Sequence, residues 1–266
     1  MDSYNYDSFD AVRDEQEVAE WLRLGPAAGT LAPDFELSGL DGGRVRLSAL
    51  RGHPVVIEFG SYTCPIFASR VAEMETLAAD FPQADFLVIY VREAHPGELR
   101  PPHHSFAEKR DTAEQLRTEQ GIRRRILIDA LDGAVHREYG AAPDCAYVID
   151  ALGRIITRLG WNDVTTLRRT LYDLHAELAP EPVETLGAPK SIYPPGHILL
   201  RRGGRKALLD FYETGPPPLR EAFRNSSDPD VRAALVVRED LSRSARPRAG
   251  PTCLRLSRIE QRLIDP

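Results

Sequence analysis

Along this chain the spacing of apolar residues changes several times, and each change marks an element. Residues 11–24, AVRDEQEVAEWLRL, set Val12, Val18, Trp21, Leu22 and Leu24 among charges, a helical pattern that Gly25 and Pro26 end. APDFELSGLDGGRVRLSALRGHP (32–54) places short apolar pieces on either side of Asp41-Gly42-Gly43, which predicts a hairpin, with Ser48 capping a turn of helix before Gly52. VVIEFG (55–60) is β-rich and nearly continuous in apolar residues, as in a strand buried on both faces. Over residues 65–81, Phe67, Val71, Met74, Leu77, Ala78 and Phe81 fall on one helical face, and a second buried strand, DFLVIYV (85–91), follows. So short a return predicts a βαβ unit with parallel strands. Further on, residues 105–120 read as helix, RILID (125–129) as a short strand and 132–140 as a helical turn. AYVID (146–150) and GRIITRLG (153–160) flank Ala151-Leu152 as a hairpin, and Val164 to Leu178 is amphipathic. Strands pairing both ways, with helices packed against them, predict an α/β sandwich around a mixed central sheet.

Past Ala179 the pattern breaks up, and 12 of the 21 prolines fall in the last 87 residues. Short helical patterns at Ala207–Tyr212, Leu219–Phe223 and Val231–Leu241 are separated by GPPP and SSDPD. The chain therefore divides into an N-terminal helical segment (1–29), a main domain (30–179) and a Pro/Arg-rich, partly ordered helical extension (180–266). That extension is expected to pack on the main domain or on a second subunit, the latter implying a homodimer; the alternative is that it carries a function of its own.

Charge separates the same regions: 15 Lys/Arg against 11 Asp/Glu in 180–266, but 19 against 29 in 1–179. The tail's charges alternate in sign and lack interleaved aromatics, so nucleic-acid binding is not expected. The acidic N-terminus lacks the flank and apolar core of a signal peptide, and no apolar run approaches the ~18 residues of a membrane span. A cytoplasmic, membrane-free protein is the expectation. Three cysteines, Cys64, Cys145 and Cys253, at wide spacing form neither a disulfide framework nor a metal motif, so no metal or other cofactor is expected.

Any cysteine chemistry then belongs to single thiols, and Cys64 is placed for it. In FGSYTCPIFASR (59–70) it stands between the 55–60 strand and the 65–81 helix, where free backbone N–H groups favour an anion. Three roles are open to it: packed core residue, half of a disulfide, or nucleophile. As a nucleophile it would have a lowered pKa, with Ser61 and Thr63 donating hydrogen bonds to the thiolate and Pro65 in the first helical position. Phe67, three residues on, removes the CxxC partner of a disulfide reductase.

APDFEL, VRLSALRG and VVIEFGSYTCP resemble the landmarks of redoxins, the branch of the thioredoxin fold that includes peroxiredoxins. Within it, GSYTCPIF together with REAHPG resembles the iodothyronine deiodinase family, with cysteine where that family carries selenocysteine. The resemblance covers Ala32 to about Leu178 and implies a thioredoxin-like three-layer sandwich. It implies Cys64 as redox nucleophile, Glu93 and His95 as an acid pair, and His103 in PPHHS as second histidine, with His104 the fallback if that loop shifts by one. A family arginine before the 146–150 strand is replaced here by Cys145, which suggests a second use for that position: resolving oxidised Cys64. Cys253 reads as incidental, and His53, His136, His175 and His197 as surface or core residues.

A soft thiolate attacks halogen on an aromatic ring, peroxide oxygen or disulfide sulfur. Dehalogenation leaves an aryl carbon that needs a proton, which His95 or His103, oriented by Glu93, is suited to supply. The expectation is a thiol-dependent oxidoreductase acting on a small molecule, with a thiol or thioredoxin-type reductant as co-substrate. Its alternatives are a thiol peroxidase and a non-catalytic redox-sensing or binding module.

Overall fold

The computed structural model describes residues 4–10, 24–186 and 196–235. The predicted helix over 11–24, the end of the 231–241 pattern and Cys253 therefore lie outside the described residues, Leu24 apart.

β1 (Glu36–Gly39) and β2 (Arg44–Arg46) form the predicted antiparallel hairpin, and a 3-10 turn follows at Leu47–Leu50. β3 (Val55–Gly60), α1 (Pro65–Asp80) and β4 (Asp85–Tyr90) make the βαβ unit, its strands parallel from Val55 opposite Asp85 to Gly60 opposite Tyr90. α2 (Phe106–Gln120), β5 (Arg125–Ile128), α3 (Ala134–Glu138), the antiparallel pair β6 (Ala146–Ile149) and β7 (Ile155–Leu159), and α4 (Val164–His175) complete the main domain. An eighth strand, β8 (Val183–Thr185), drawn from residues read as extension, pairs parallel to β7. The order is β2-β1-β5-β4-β3-β6-β7-β8, a mixed sheet that puts β3 and β4 at its centre.

Every residue of β3 is buried because helices cover both faces, as its apolar run requires. Val56 packs with Met74 and Leu77 of α1 and with Leu167 and Leu171 of α4, while Val88 and Tyr90 pack with Phe67 and Val71 of α1 and Leu116 of α2. Ile57, Phe59 and Ile89 face the other way, onto Phe35, Leu47 and Val135. Each fully buried side chain of this size stabilises the fold by roughly 1.5–3 kcal/mol. Glu58, the polar interruption in β3, is buried among these residues and is compensated by Arg124 and by Asn162, whose Nδ2 donates to it at 2.6 Å.

Two details fix where β3 and β4 deliver their carboxyl ends. Gly60 must be glycine, because a Cβ there would lie 2.2 Å from the ring of Phe67, which lets α1 close down on the strand end. Val91 N donates to Gly60 O at 3.0 Å, so the pairing runs one residue beyond the strands before both chains turn away. Ser61–Cys64 and Arg92–Gly97 therefore leave the sheet side by side.

Beyond the sheet, α5 (Gly196–Gly203), α6 (Arg205–Thr214), α7 (Pro217–Arg224) and helical residues 229–235 share a small core of Leu199, Leu208, Leu219, Phe223 and Val231. This layer packs against the loop after β4 rather than standing away from the domain. Glu98 accepts hydrogen bonds from Arg205 N and Lys206 N at the start of α6, and Leu99 N donates to Gly203 O at 3.3 Å. No described helix is long and apolar enough to cross a membrane.

Candidate active site

Cys64 is the N-cap of α1, with extended backbone (φ −72°, ψ 110°) and Pro65 in the first turn. Its Sγ accepts from Phe67 N at 3.5 Å. The predicted place is correct, but the predicted acidity is not. Cys64 is only 2% exposed, and burial, reinforced by the charge of Asp144, pushes the thiol well above its ordinary value; the N–H groups of Phe67 and Ile66 and the Arg70 guanidinium oppose this without overcoming it. A helix start favours a thiolate, but here desolvation outweighs it.

The neighbouring hydroxyls also differ from expectation. Rather than donating to the sulfur, Thr63 Oγ1 donates to Glu93 Oε2 at 2.6 Å and accepts from His95 N at 3.0 Å, while Thr63 N donates to the same carboxylate oxygen at 2.8 Å. Ser61 Oγ accepts from Ala94 N at 3.1 Å. Both hydroxyls thus tie the turn carrying Cys64 to the Glu-Ala-His segment after β4.

Glu93 is the hub. Its Oε1 accepts from the Tyr90 hydroxyl and lies 3.2 Å from His103 Nε2, within ion-pair distance but not aligned as a hydrogen bond. Burial disfavours its charge, yet His103, Thr63 and Tyr90 together outweigh that and hold the carboxyl below the usual carboxylate range. His95 is buried, its ring 4.2 Å from that of Phe9 and 5.1 Å from that of Phe211, and its Nδ1 has no partner. Desolvation, partly offset by Glu93, lowers its pKa to about 3, so it is neutral at physiological pH. In the PPHHS loop, His103 turns inward to Glu93; His104 is exposed, its N–H donating to Glu108 at 2.8 Å while Ser105 caps α2.

Cys145 is not brought to Cys64. It packs with Phe59 and Tyr147 on one face of the sheet, whereas Cys64 packs with Phe67, Val88 and Tyr90 on the other. Alternation along the chain instead turns Asp144 toward α1, where its Oδ2 accepts from Arg70 Nη1 at 2.7 Å and its buried Oδ1 has no partner. Both thiols are free.

Three contributors escaped sequence reasoning. Tyr90 closes β4 three residues before Glu93, a spacing that could have flagged it. Asp144 with Arg70 joins residues 74 positions apart. Arg202 of α5, whose Nη1 donates to Tyr62 O at 2.6 Å, comes from a segment with no motif. Among the described residues no group of three or more His, Cys, Asp or Glu side chains is arranged to hold a metal ion.

The family model for iodothyronine deiodinase matches residues 6–162, more than half of the chain and including the ends of β3 and β4 with the segments that follow them. The chain belongs to the iodothyronine deiodinase family. A thyroxine 5-deiodinase of Gallus gallus is 38% identical over 133 residues, covering 46% of this chain and 52% of that protein. A type I iodothyronine deiodinase of Xenopus laevis is 30% identical over 148 residues, 51% of this chain and 58% of that protein. The chain thus spans about half the length of the curated relatives it matches. A secreted disulfide oxidoreductase of Mycobacterium tuberculosis is a weaker likeness, 17% identical over 52% of this chain and 94% of that one at a TM-score of 0.42. The deiodinase-family domain has the thioredoxin-like fold, a three-layer α/β sandwich with a helical layer added at its C-terminal side.

Proposed function

We propose that this deiodinase-family protein is a thiol-dependent oxidoreductase that removes iodine from an iodinated aromatic, thyroxine-like ring. The observation that carries the reading is the direct linkage of the nucleophile's turn to the proton-handling segment: Thr63, next to Cys64, bonds both Glu93 and the His95 backbone. A nucleophile and an acid held by one hydroxyl suit a reaction in which sulfur attacks and a proton must follow.

In the proposed reaction the Cys64 thiol passes its proton to the histidine shell as substrate binding opens the site, and the thiolate so formed attacks iodine along the carbon–iodine axis. A sulfur–iodine bond forms, the carbon–iodine bond breaks, and its electron pair stays on the aryl carbon, which takes a proton from the histidine shell. A small thiol then attacks the sulfenyl iodide, releasing iodide and leaving a mixed disulfide. A second thiol restores Cys64 and departs as disulfide. Glu93, fixed in its ionised form, orients His103 rather than giving up a proton itself, and neutral His95 lines the path beside it. External thiol is the reductant in this scheme, and the cytoplasm is a compartment that supplies it.

The test is turnover with dithiothreitol on a panel of iodinated phenols and hydroperoxides, comparing the wild type with Cys64→Ala. Iodide release lost in the variant supports dehalogenation. Consumption of hydroperoxide alone would make the protein a thiol peroxidase, and no turnover of either would end the enzymatic reading.

A further inference from the structure

The site just described is closed, and what closes it lies largely outside the segment that carries its motifs. His95 is clamped between two phenyl rings, Phe9 from residues 4–10 and Phe211 from α6, which also meet each other at 4.9 Å. Arg202 reaches from α5 to Tyr62 O, and Gly203 abuts the His95 carbonyl so closely that a Cβ on it would lie 2.8 Å from that oxygen. A Cβ on Gly97 would in turn lie 2.0 Å from Gly203 O. Cys64 and His95 are accordingly 2% and 6% exposed, which leaves no room for an aromatic substrate at either.

We propose that Phe211, with Phe9, is a positioning residue of this site: the C-terminal helical layer holds the His95 imidazole in an aromatic clamp beside the turn that carries Cys64 and must part before a substrate ring can take its place. The clamp and the substrate are chemically alike, so an iodinated phenyl ring would displace one aromatic contact with another. Closed, the clamp excludes water from His95 and keeps it neutral. Open, it hydrates the ring, returns it toward the ordinary imidazole range and makes it an acid when the aryl carbon needs a proton. Charged groups on the elements around His95 do not substitute for this. Glu93 is committed to Thr63, Tyr90 and His103, Glu98 caps α6, Lys206 pairs with Asp210 at 2.7 Å and bonds Asp7 O, and Arg202 is held on Tyr62 O.

The inference deepens the proposed dehalogenation, but its readouts need no turnover, so the two can fail separately. In the full chain, Phe211→Ala should raise the iodoacetamide alkylation rate of Cys64 by about tenfold, the size expected from losing two aromatic contacts that hold a local closed state. NMR should show the His95 imidazole titrating well above its wild-type value, with Phe211→Leu intermediate. Cys145, equally buried but on the far face of the sheet, serves as control and should alkylate no faster. Gly97→Ala wedges the same interface; the φ of Gly97 is not positive, so alanine is strained there only by its neighbours, Gly203 O at 2.0 Å and the Ala207 methyl of α6 at 3.2 Å. It should shift Cys64 in the same direction. Unchanged Cys64 reactivity and His95 titration in both variants would overturn the proposal, as would Cys145 accelerating in step with Cys64, since that signals general loosening.

Discussion

Thr63 shows how much one hydroxyl decides. It donates to Glu93 and accepts from the backbone beside His95, so Thr63→Val leaves a buried carboxylate short of a partner and a buried N–H unpaired. We expect a loss of roughly 1–3 kcal/mol in urea unfolding, together with reduced turnover. Unchanged stability would mean that the two strand ends are held by packing alone. Histidine protonation gives a second test at this scale. His95 and His136 are both lowered to about 3, chiefly by burial, so between roughly pH 6.5 and 3 the unfolded chain binds more protons than the folded one. Stability should therefore fall on acidification through that window, by a few kcal/mol as an order of magnitude, visible as a falling urea midpoint. His136, whose ring nitrogens face Tyr4 Oη at 2.7 Å and Ala142 O at 3.0 Å, belongs to the core, one of the two places the sequence left open to it. Glu93 adds in the same direction at lower pH: its contribution is complete above its unfolded value near 4.3 and is lost as pH falls through its depressed folded value. A midpoint flat from pH 7 to 4 would contradict these assignments.

At the scale of elements, the site depends on how closely α1 approaches β3. Gly60→Ala would drive a methyl into the Phe67 ring, so α1 must shift and Cys64 with it. The expected cost is about 1–3 kcal/mol, with turnover falling by more than stability alone explains; thermal unfolding alongside kinetics would separate the two. The α2 cap is simpler: Ser105→Ala should cost about 1 kcal/mol and disturb His103, two residues away, in its NMR chemical shifts. These elements were legible because periodicity and caps are local. β8 was not, since three exposed residues, Val-Glu-Thr, become a strand only because β7 offers a free edge.

For the molecule as a whole, the sheet separates the two described cysteines. Mild peroxide followed by mass spectrometry should yield no Cys64–Cys145 peptide, and Cys145→Ser should retain turnover with external thiol. A linked peptide would require the chain to rearrange across the sheet and would revive an internal resolving thiol. The sequence by itself determined the βαβ unit and the helix start at Cys64, because periodicity and capping are properties of neighbouring residues; Glu93, His95 and His103 entered only as what the family resemblance implied, and Glu93 is bonded to Thr63 and Tyr90, with His103 beside it, rather than to the His95 ring. Only the tertiary structure decided that Cys64 is desolvated rather than activated, that Thr63 serves Glu93 instead of sulfur, that Cys145 faces away, and that the C-terminal layer covers the site. Burial, sheet face and remote contact depend on what the rest of the chain brings near, and no local pattern carries that information.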